Sequence, residues 1–348
     1  MEGGKKFTLI NVKIILIFFP VLASVMCAFS LYGQSVDGAR GEPAYAFTVE
    51  PSFGFLWGRG EEIVYAENPT PVMNQYTSQL LWDIKPLVYF GVEAEYGPRH
   101  PWETHGVHAE LSLKYGLPLK TGVLEDRDWL SSKGSFLTNF SVHDAYSRSS
   151  PADLFAGYGS FAARLGAGYS WGIGNRFWLR VYGDVSYTRF SWTAQDGYTQ
   201  YSPSREEPWN AGLPKESYSG GAVAYRQNWI IAGPGITVGA RFLDRVSASL
   251  SGTITPLVYG ECLDQHLARN EARFWDYPSG GLYIRAGGEI RYAMTNRISV
   301  GISPEMVSLK GARGDTHQYE GGRKTIYKNS AGGGFSYWDI TLSVKYAF

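Results

Sequence analysis

From residue 44 to its last residue, the chain alternates apolar and polar side chains with a period of two, segment after segment. "VHAELSLKY" places Val107, Ala109, Leu111, Leu113 and Tyr115 on one face, with His108, Glu110, Ser112 and Lys114 on the other. "LYIRAGGEIRY" sets Leu282, Ile284, Ala286, Ile290 and Tyr292 against Arg285, Glu289 and Arg291. "WDITLSVKYAF" sets Trp338, Ile340, Leu342, Val344, Tyr346 and Phe348 against Asp339, Thr341, Ser343 and Lys345. Successive strand residues point to opposite faces, whereas a helix repeats at about 3.6 residues, so the pattern predicts an all-β fold.

Such alternation suits a soluble sandwich with one wet face or a barrel standing in a membrane. Two observations favour the barrel. Trp and Tyr gather near strand ends, as in the aromatic girdles of outer-membrane barrels. The connections also alternate in length. Ten strands are predicted, at 44–58, 78–96, 107–118, 153–171, 177–193, 222–241, 246–261, 281–293, 298–310 and 334–348. The fourth, sixth and eighth are followed by the tight links "GIGNR", "LDR" and "MTNR"; the third, fifth, seventh and ninth are followed by long ones. Only "GPRHPWETHG", after the second strand, departs from short turns at one end and long loops at the other. Several strands exceed the ~9–11 residues needed to cross a bilayer. The expected fold is a ten-stranded antiparallel transmembrane β-barrel protruding from the outer membrane, and a closing aromatic residue on a strand suits the signal that barrel-assembly machinery reads.

The first 35 residues follow a different rule. Lys5, Lys6 and Lys13 precede "IILIFFPVLASVMCAFSLYG", a basic region and an apolar run with the layout of a secretory signal peptide. The run is long enough for a membrane anchor, but Pro20 interrupts it. A lipoprotein attached through Cys27 would want a small residue where Met26 stands. Removal of residues 1–35 leaves one domain, 36–348, with Cys262 as its single cysteine and no internal disulfide. Lys plus Arg equals Asp plus Glu at 32 each, which gives no basic footprint for nucleic acid.

The chemistry-bearing residues collect after odd-numbered strands, on one rim. "LEDRDWL" after the third strand carries Asp126 and Asp128, and "YGECLDQHLAR" after the seventh carries Asp264 and His266. Each pair is spaced by two, so on an extended chain both members point the same way. Strands three and seven can face each other across a flattened barrel, bringing three carboxylates and a histidine over the lumen. An Asp beside a His fixes its tautomer and raises its basicity, and such a His can take a proton from water without a covalent intermediate. Solvated loop charges would give the same letters. Metal binding is disfavoured, since no second His lies at ligand spacing. No G-x-S-x-G or phosphate-binding loop is present, and the "RGD" at 313–315 is expected in an outer loop.

Taken together, these stretches resemble the omptins, ten-stranded outer-membrane proteases of Gram-negative bacteria. The resemblance covers roughly residues 50–348. "DRDW" (126–129) is similar to the family's D-x-D-W and "DQH" (264–266) to its D-x-H dyad. "TRFSWTAQDGY" (188–198) resembles a signature after strand five, with Asp196 where Gly is usual. "TNFSVH" (138–143) resembles T-D-x-S-x-H, and "EEIVY" (61–65) the stretch that places a Glu in the substrate pocket. The resemblance implies an aspartic-type endopeptidase facing the cell exterior. Asp264 would orient His266, which activates a water held with Asp126 and Asp128 for attack on a peptide carbonyl. It also implies a preference for basic residues around the cut, with Glu62 receiving one of them. Ser141 and His143 would support the site, and Ser141 as nucleophile is the weaker alternative. Cys262 would line the pocket rather than act as a thiol nucleophile.

Four departures bear on specificity and lipid dependence. Cys262 stands where a second acidic pocket residue is usual, and Asn139 where an acid recognises the second basic side chain. Losing a charged partner could cost ~1.5–3 kcal/mol per contact, so a relaxed demand for basic residues is expected. Omptins need lipopolysaccharide on the outer wall; Arg189 matches one basic contact there, while Tyr187 replaces an acidic neighbour and Asn228 another basic residue, so a weakened lipid dependence is expected. Extracellular proteins or peptides and an outer-membrane lipid are the expected partners of a monomer that needs no metal or cofactor. The rival readings are an inactive barrel serving as adhesin or receptor, and a porin. Glu110, Lys114, Arg285, Glu289 and Arg291 argue against the porin by filling a narrow lumen with ion pairs.

Overall fold

The computed structural model describes residues 44–65, 76–128, 145–149, 152–153, 160–202, 209–267 and 272–348. The signal segment 1–35 lies outside them, as do Asn139, Ser141 and His143. All regular structure among the described residues is β. The strands are β1 (Tyr45–Tyr65), β2 (Tyr76–Pro98), β3 (Gly106–Gly116), β4 (Leu124–Asp128), β5 (Ala145–Ser149), β6 (Ala152–Asp153), β7 (Phe161–Ile173) and β8 (Phe177–Tyr201). They continue with β9 (Glu216–Leu243), β10 (Val246–Thr255), β11 (Val258–His266), β12 (Ala272–Ser279), β13 (Leu282–Ala293), β14 (Ile298–Glu320) and β15 (Arg323–Ala347).

The antiparallel pairing closes on itself twice. One ring of ten runs β1, β2, β3, β7, β8, β9, β10, β13, β14, β15 and back to β1. The second keeps β1, β2, β8, β9, β14 and β15 but substitutes β4 for β3, β5 for β7, β11 for β10 and β12 for β13. Six strands therefore run through both tiers and four are broken between them. The breaks have local causes. Pro256 separates β10 from β11, which both pair with β9, and Thr255 Oγ1 binds the Ala232 carbonyl and the Leu257 N–H there. Between β12 and β13, Gly280 and Gly281 adopt φ of 68° and 80°, the left-handed region that glycine enters freely.

The two tiers have different outer surfaces. Around the first ring, Phe53, Phe90, Val181, Ile236, Leu250 and Ile302 expose an apolar belt. Aromatic residues edge it: Trp171, Phe177, Tyr292, Tyr346 and Phe348 by the tight turns, Trp57, Tyr115, Tyr259 and Trp338 toward the second tier. The interior of this ring is charged. Arg291 binds Glu50 at 2.6 Å, Lys345 binds Glu95 at 2.8 Å, and Arg164 binds Glu110 at 2.6 Å. Arg285 binds Asp184 and Lys114 binds Asp339, each at 2.6 Å. All of these residues but Asp184 line a chamber of about 490 Å³.

An aromatic floor separates that chamber from the rim. Trp82 stacks on Tyr225 with centroids 5.1 Å apart, and Trp192 lies 5.9 Å from Trp82. Phe190, Trp229 and Phe335 extend the layer. Glycine makes room for it, since a Cβ at Gly60 would come within 2.7 Å of Trp192 Cη2, and one at Gly260 within 2.5 Å of Trp229 Cζ3.

Several strands are longer than expected. β1 reaches Tyr65, β14 reaches Glu320 and β15 begins at Arg323, joined by a Gly321–Gly322 hairpin turn with φ of 55° and 77°. The segments taken as links after the third and seventh strands are strands too, β4 and β11. The "RGD" triplet is likewise within β14 rather than in a loop. Arg313 lies over the Tyr65 ring at 3.8 Å and Asp315 Oδ2 binds Lys328 at 2.5 Å. The stretch pairs with β12 on one side and, with register shifts at Leu309/Ala312 and Gly314/Thr316, with β15 on the other.

Candidate active site at the rim

Alternation in the second tier decides which side chains face inward. In β11, Gly260, Cys262 and Asp264 are buried on the lumen side, and His266 follows on the same face, half-buried. In β1 that face carries Glu62, in β4 Asp126 and Asp128, and in β12 Asp276. Because the wall continues as strand, these groups are held by ladders rather than by loops. Asp264 pairs across to Tyr225 and Phe274, Asp126 to Leu80 and Ser147.

His266 Nε2 and Asp264 Oδ2 are 2.8 Å apart, and Asp264 is almost wholly buried. With Nε2–H donated to Asp264, the imidazole keeps a lone pair on Nδ1. The second ring places β4 four strands from β11, so Asp126 and Asp128 face that pair across the lumen. The distance is short enough for His266 to lower the pKa of Asp128; burial acts more strongly and leaves it raised.

Below this level the lumen is acidic. Burial, then the charges of Asp264, Asp276 and Asp126, push the Glu62 carboxyl well above its usual range. Glu62 Oε2 makes no hydrogen bond, and the Trp82 indole N–H, which acts in the opposite sense, also lacks a well-formed one. Asp276 accepts a 2.6 Å hydrogen bond from Thr316, but burial and Asp264 hold its pKa at about 7. Burial and the charge of Asp276 drive the Cys262 thiol well up, which keeps it neutral and unsuited to act as a nucleophile. Among the described residues, no group of three or more His, Cys, Asp or Glu side chains is arranged to hold a metal ion.

The structure thus brings Asp126, Asp128, Asp264, His266, Glu62 and Cys262 to one lumen. Asp276 was missed by sequence reading. The signal for it was present, since "ARFWDYPS" alternates with Phe274, Asp276 and Pro278 on one face. Arg189 stands elsewhere, on the outer wall, beside Tyr187 and Asn228, which share a 2.8 Å hydrogen bond. Asp196 has φ of 52°, which explains why glycine suits that position, and its Oδ1 accepts the Gly220 N–H at 2.8 Å.

No curated protein matches the sequence. Among solved structures, the outer membrane protease OmpT from Escherichia coli superposes with a TM-score of 0.73 at 18% identity, covering 87% of this chain and 97% of that one. The toluene transporter TbuX from Ralstonia pickettii (TM-score 0.33, 10% identity, 87% and 90% covered) and OprG from Pseudomonas aeruginosa (0.32, 8%, 88% and 96%) are too distant to carry an argument. The OmpT likeness speaks for the ring of strands, while the assignment comes from the sequence itself: the profile of the Omptin family matches residues 43–348, and the chain belongs to that family.

Proposed function

We propose that this protein is an endopeptidase of the bacterial outer membrane, cutting extracellular proteins or peptides next to basic residues. One observation carries the reading. The Asp264–His266 pair and the Asp126–Asp128 pair face each other over the lumen, on the tier that stands clear of the apolar belt. The chemistry follows from that arrangement. Asp264 fixes the ring of His266 and stabilises its protonated form. His266 takes the proton from a water held between it and the Asp126–Asp128 pair. The water oxygen attacks the scissile carbonyl, and protonated His266 returns the proton to the leaving amine. No covalent acyl intermediate is needed. The apolar belt supports a barrel set in the membrane with this tier outside, and the ion pairs and aromatic floor beneath favour a cleft over a pore. On the outer wall Arg189 and Arg226, on adjacent strands, offer cations to the phosphates of lipopolysaccharide, and we take Arg189 as part of a lipid site.

Refolded mature protein should cleave a quenched Arg-Arg peptide, with lipopolysaccharide tested as activator, and His266→Ala and Asp126→Ala should each abolish cleavage. Absence of cleavage by folded protein in every lipid would refute the reading and leave a receptor or adhesin built on the same barrel.

A further inference from the structure

We propose that Asp276 is a specificity-determining residue: with Glu62 it forms the carboxylate pair that receives a cationic substrate side chain, taking over a role that position 262, a cysteine here, does not fill. This rests on the protease reading above.

The place of Asp276 follows from register. In the β11–β12 ladder it is the direct partner of Cys262, and both side chains point into the lumen, 3% and 1% exposed. Directly opposed side chains of an antiparallel pair have Cβ atoms about 4.5–5.5 Å apart. The thiol carries no charge to this level, and Asp276 beside it does. Thr316, on the far side, donates to Oδ1 at 2.6 Å and orients the carboxyl.

Among the described residues, no cation acts strongly on Glu62 or Asp276. The groups acting most strongly on Glu62 are Asp264, Asp276, Asp126 and the Trp82 N–H; those acting on Asp276 are Thr316 and Asp264. None is basic. Glu62 Oε2 and Asp264 Oδ1 are both buried and make no hydrogen bond. Asp264 has His266 on its other oxygen, but Glu62 is a buried carboxyl with no cationic partner among the described residues, which is costly when ionised, and a guanidinium or ammonium arriving from outside would supply what it lacks. Binding would draw Asp276 into its ionised form and release a proton at near-neutral pH.

Depth selects the cation. Cys262 and Asp276 lie two residues below the Asp264 level, a descent of about 6.5 Å along the strand. A scissile carbonyl placed at His266 therefore needs a side chain long enough to carry its charge down to the floor. Arg and Lys reach; a protonated His does not. The faces of Trp82 and Tyr225 at the bottom would flank the aliphatic stem.

The test pairs two quenched peptides identical except that the residue before the cut is arginine or its neutral isostere citrulline. Wild type should strongly favour arginine. Asp276→Asn should lower kcat/KM for the arginine peptide by about tenfold or more and change the citrulline peptide by less than about threefold. Adding Cys262→Asp to Asp276→Asn should restore the preference, which separates lost charge from lost fold; circular dichroism melting checks the latter. An unchanged arginine-to-citrulline ratio in Asp276→Asn would overturn the assignment while leaving the protease standing. If wild type cuts neither peptide, the protease reading fails, and binding decides this one. His266→Ala protein is then titrated with each peptide by tryptophan fluorescence. A preference for arginine that vanishes with Asp276→Asn supports the pocket; equal binding refutes it.

Discussion

Asp276 also lets electrostatics be read as stability. An exposed aspartate ionises near 3.8, whereas this one holds its proton to about 7, because it is buried and faces Asp264. A tenfold displacement of a proton equilibrium is worth about 1.4 kcal/mol, so the ionised carboxylate costs the fold about 4 kcal/mol. The sign follows from proton counting. Between pH 3.8 and about 7 the unfolded chain has lost this proton and the folded chain has kept it, so stability falls as pH rises through that window. Below the window there is no penalty, and above it the full penalty persists. Asp276→Asn keeps the acceptor for Thr316 and removes the titration. The variant's advantage over wild type should therefore grow by about 4 kcal/mol between pH 3.5 and pH 8, with more than half of the gain between pH 5 and 7. Glu62 adds to this in the same direction, because it loses a repelling neighbour. Urea unfolding of refolded protein in detergent micelles, followed by tryptophan fluorescence, gives the difference at each pH. The infrared band of a buried protonated carboxylic acid, present in wild type at pH 6 and weakened in the variant, gives an independent check. A stability difference that stays constant from pH 4 to 8 would refute the argument. So would a variant less stable than wild type at pH 8.

Three further outcomes are expected. Arg285→Ala strips Asp184 of its 2.6 Å partner inside the first ring and should cost about 3–5 kcal/mol in the same unfolding assay, whereas Arg285→Met with Asp184→Leu should recover most of it. Gly260→Ala puts a methyl 2.5 Å from Trp229 Cζ3 and should destabilise by about 1–3 kcal/mol while shifting tryptophan emission; an unchanged spectrum would mean that the floor gives way freely. At Asp196, with its φ of 52°, replacement by Ala should lower stability by about 1–2 kcal/mol, whereas Gly should be close to neutral, as measured by urea midpoints.

Much of the wall was legible in sequence because period-two alternation is a local property. The first ring's strands, the tight turns after Ile173 and Leu243 and the outward apolar face follow from it directly. The extent of the second tier was harder to read. Its outer face meets water, so polar residues occur on both faces of β4 and β11 and the alternation fades; a polar strand then looks like a loop. The Gly321–Gly322 turn between β14 and β15 was a readable hairpin signal. The Asp264–His266 contact was foreseeable from their spacing by two. The pairing of Asp276 with Cys262 was not, because a cross-strand partner is set by register between distant segments, and register is not a property of either segment alone.

The breaks between the tiers act as expansion joints. Asp126 and Asp128 ride on β4, Asp264 and His266 on β11, and Asp276 on β12, all short segments that begin anew beyond a break. Glu62, by contrast, sits on a strand that runs unbroken from the belt. A one-residue insertion in β1 would turn every later side chain of that strand to the opposite face. The same insertion at 117–123 or at Pro256–Leu257 falls where pairing is already interrupted and can be taken up there. The lipid-facing wall can therefore drift in length and sequence beneath most of the acidic groups without re-aiming them, while Glu62 keeps the rim in register with the wall below.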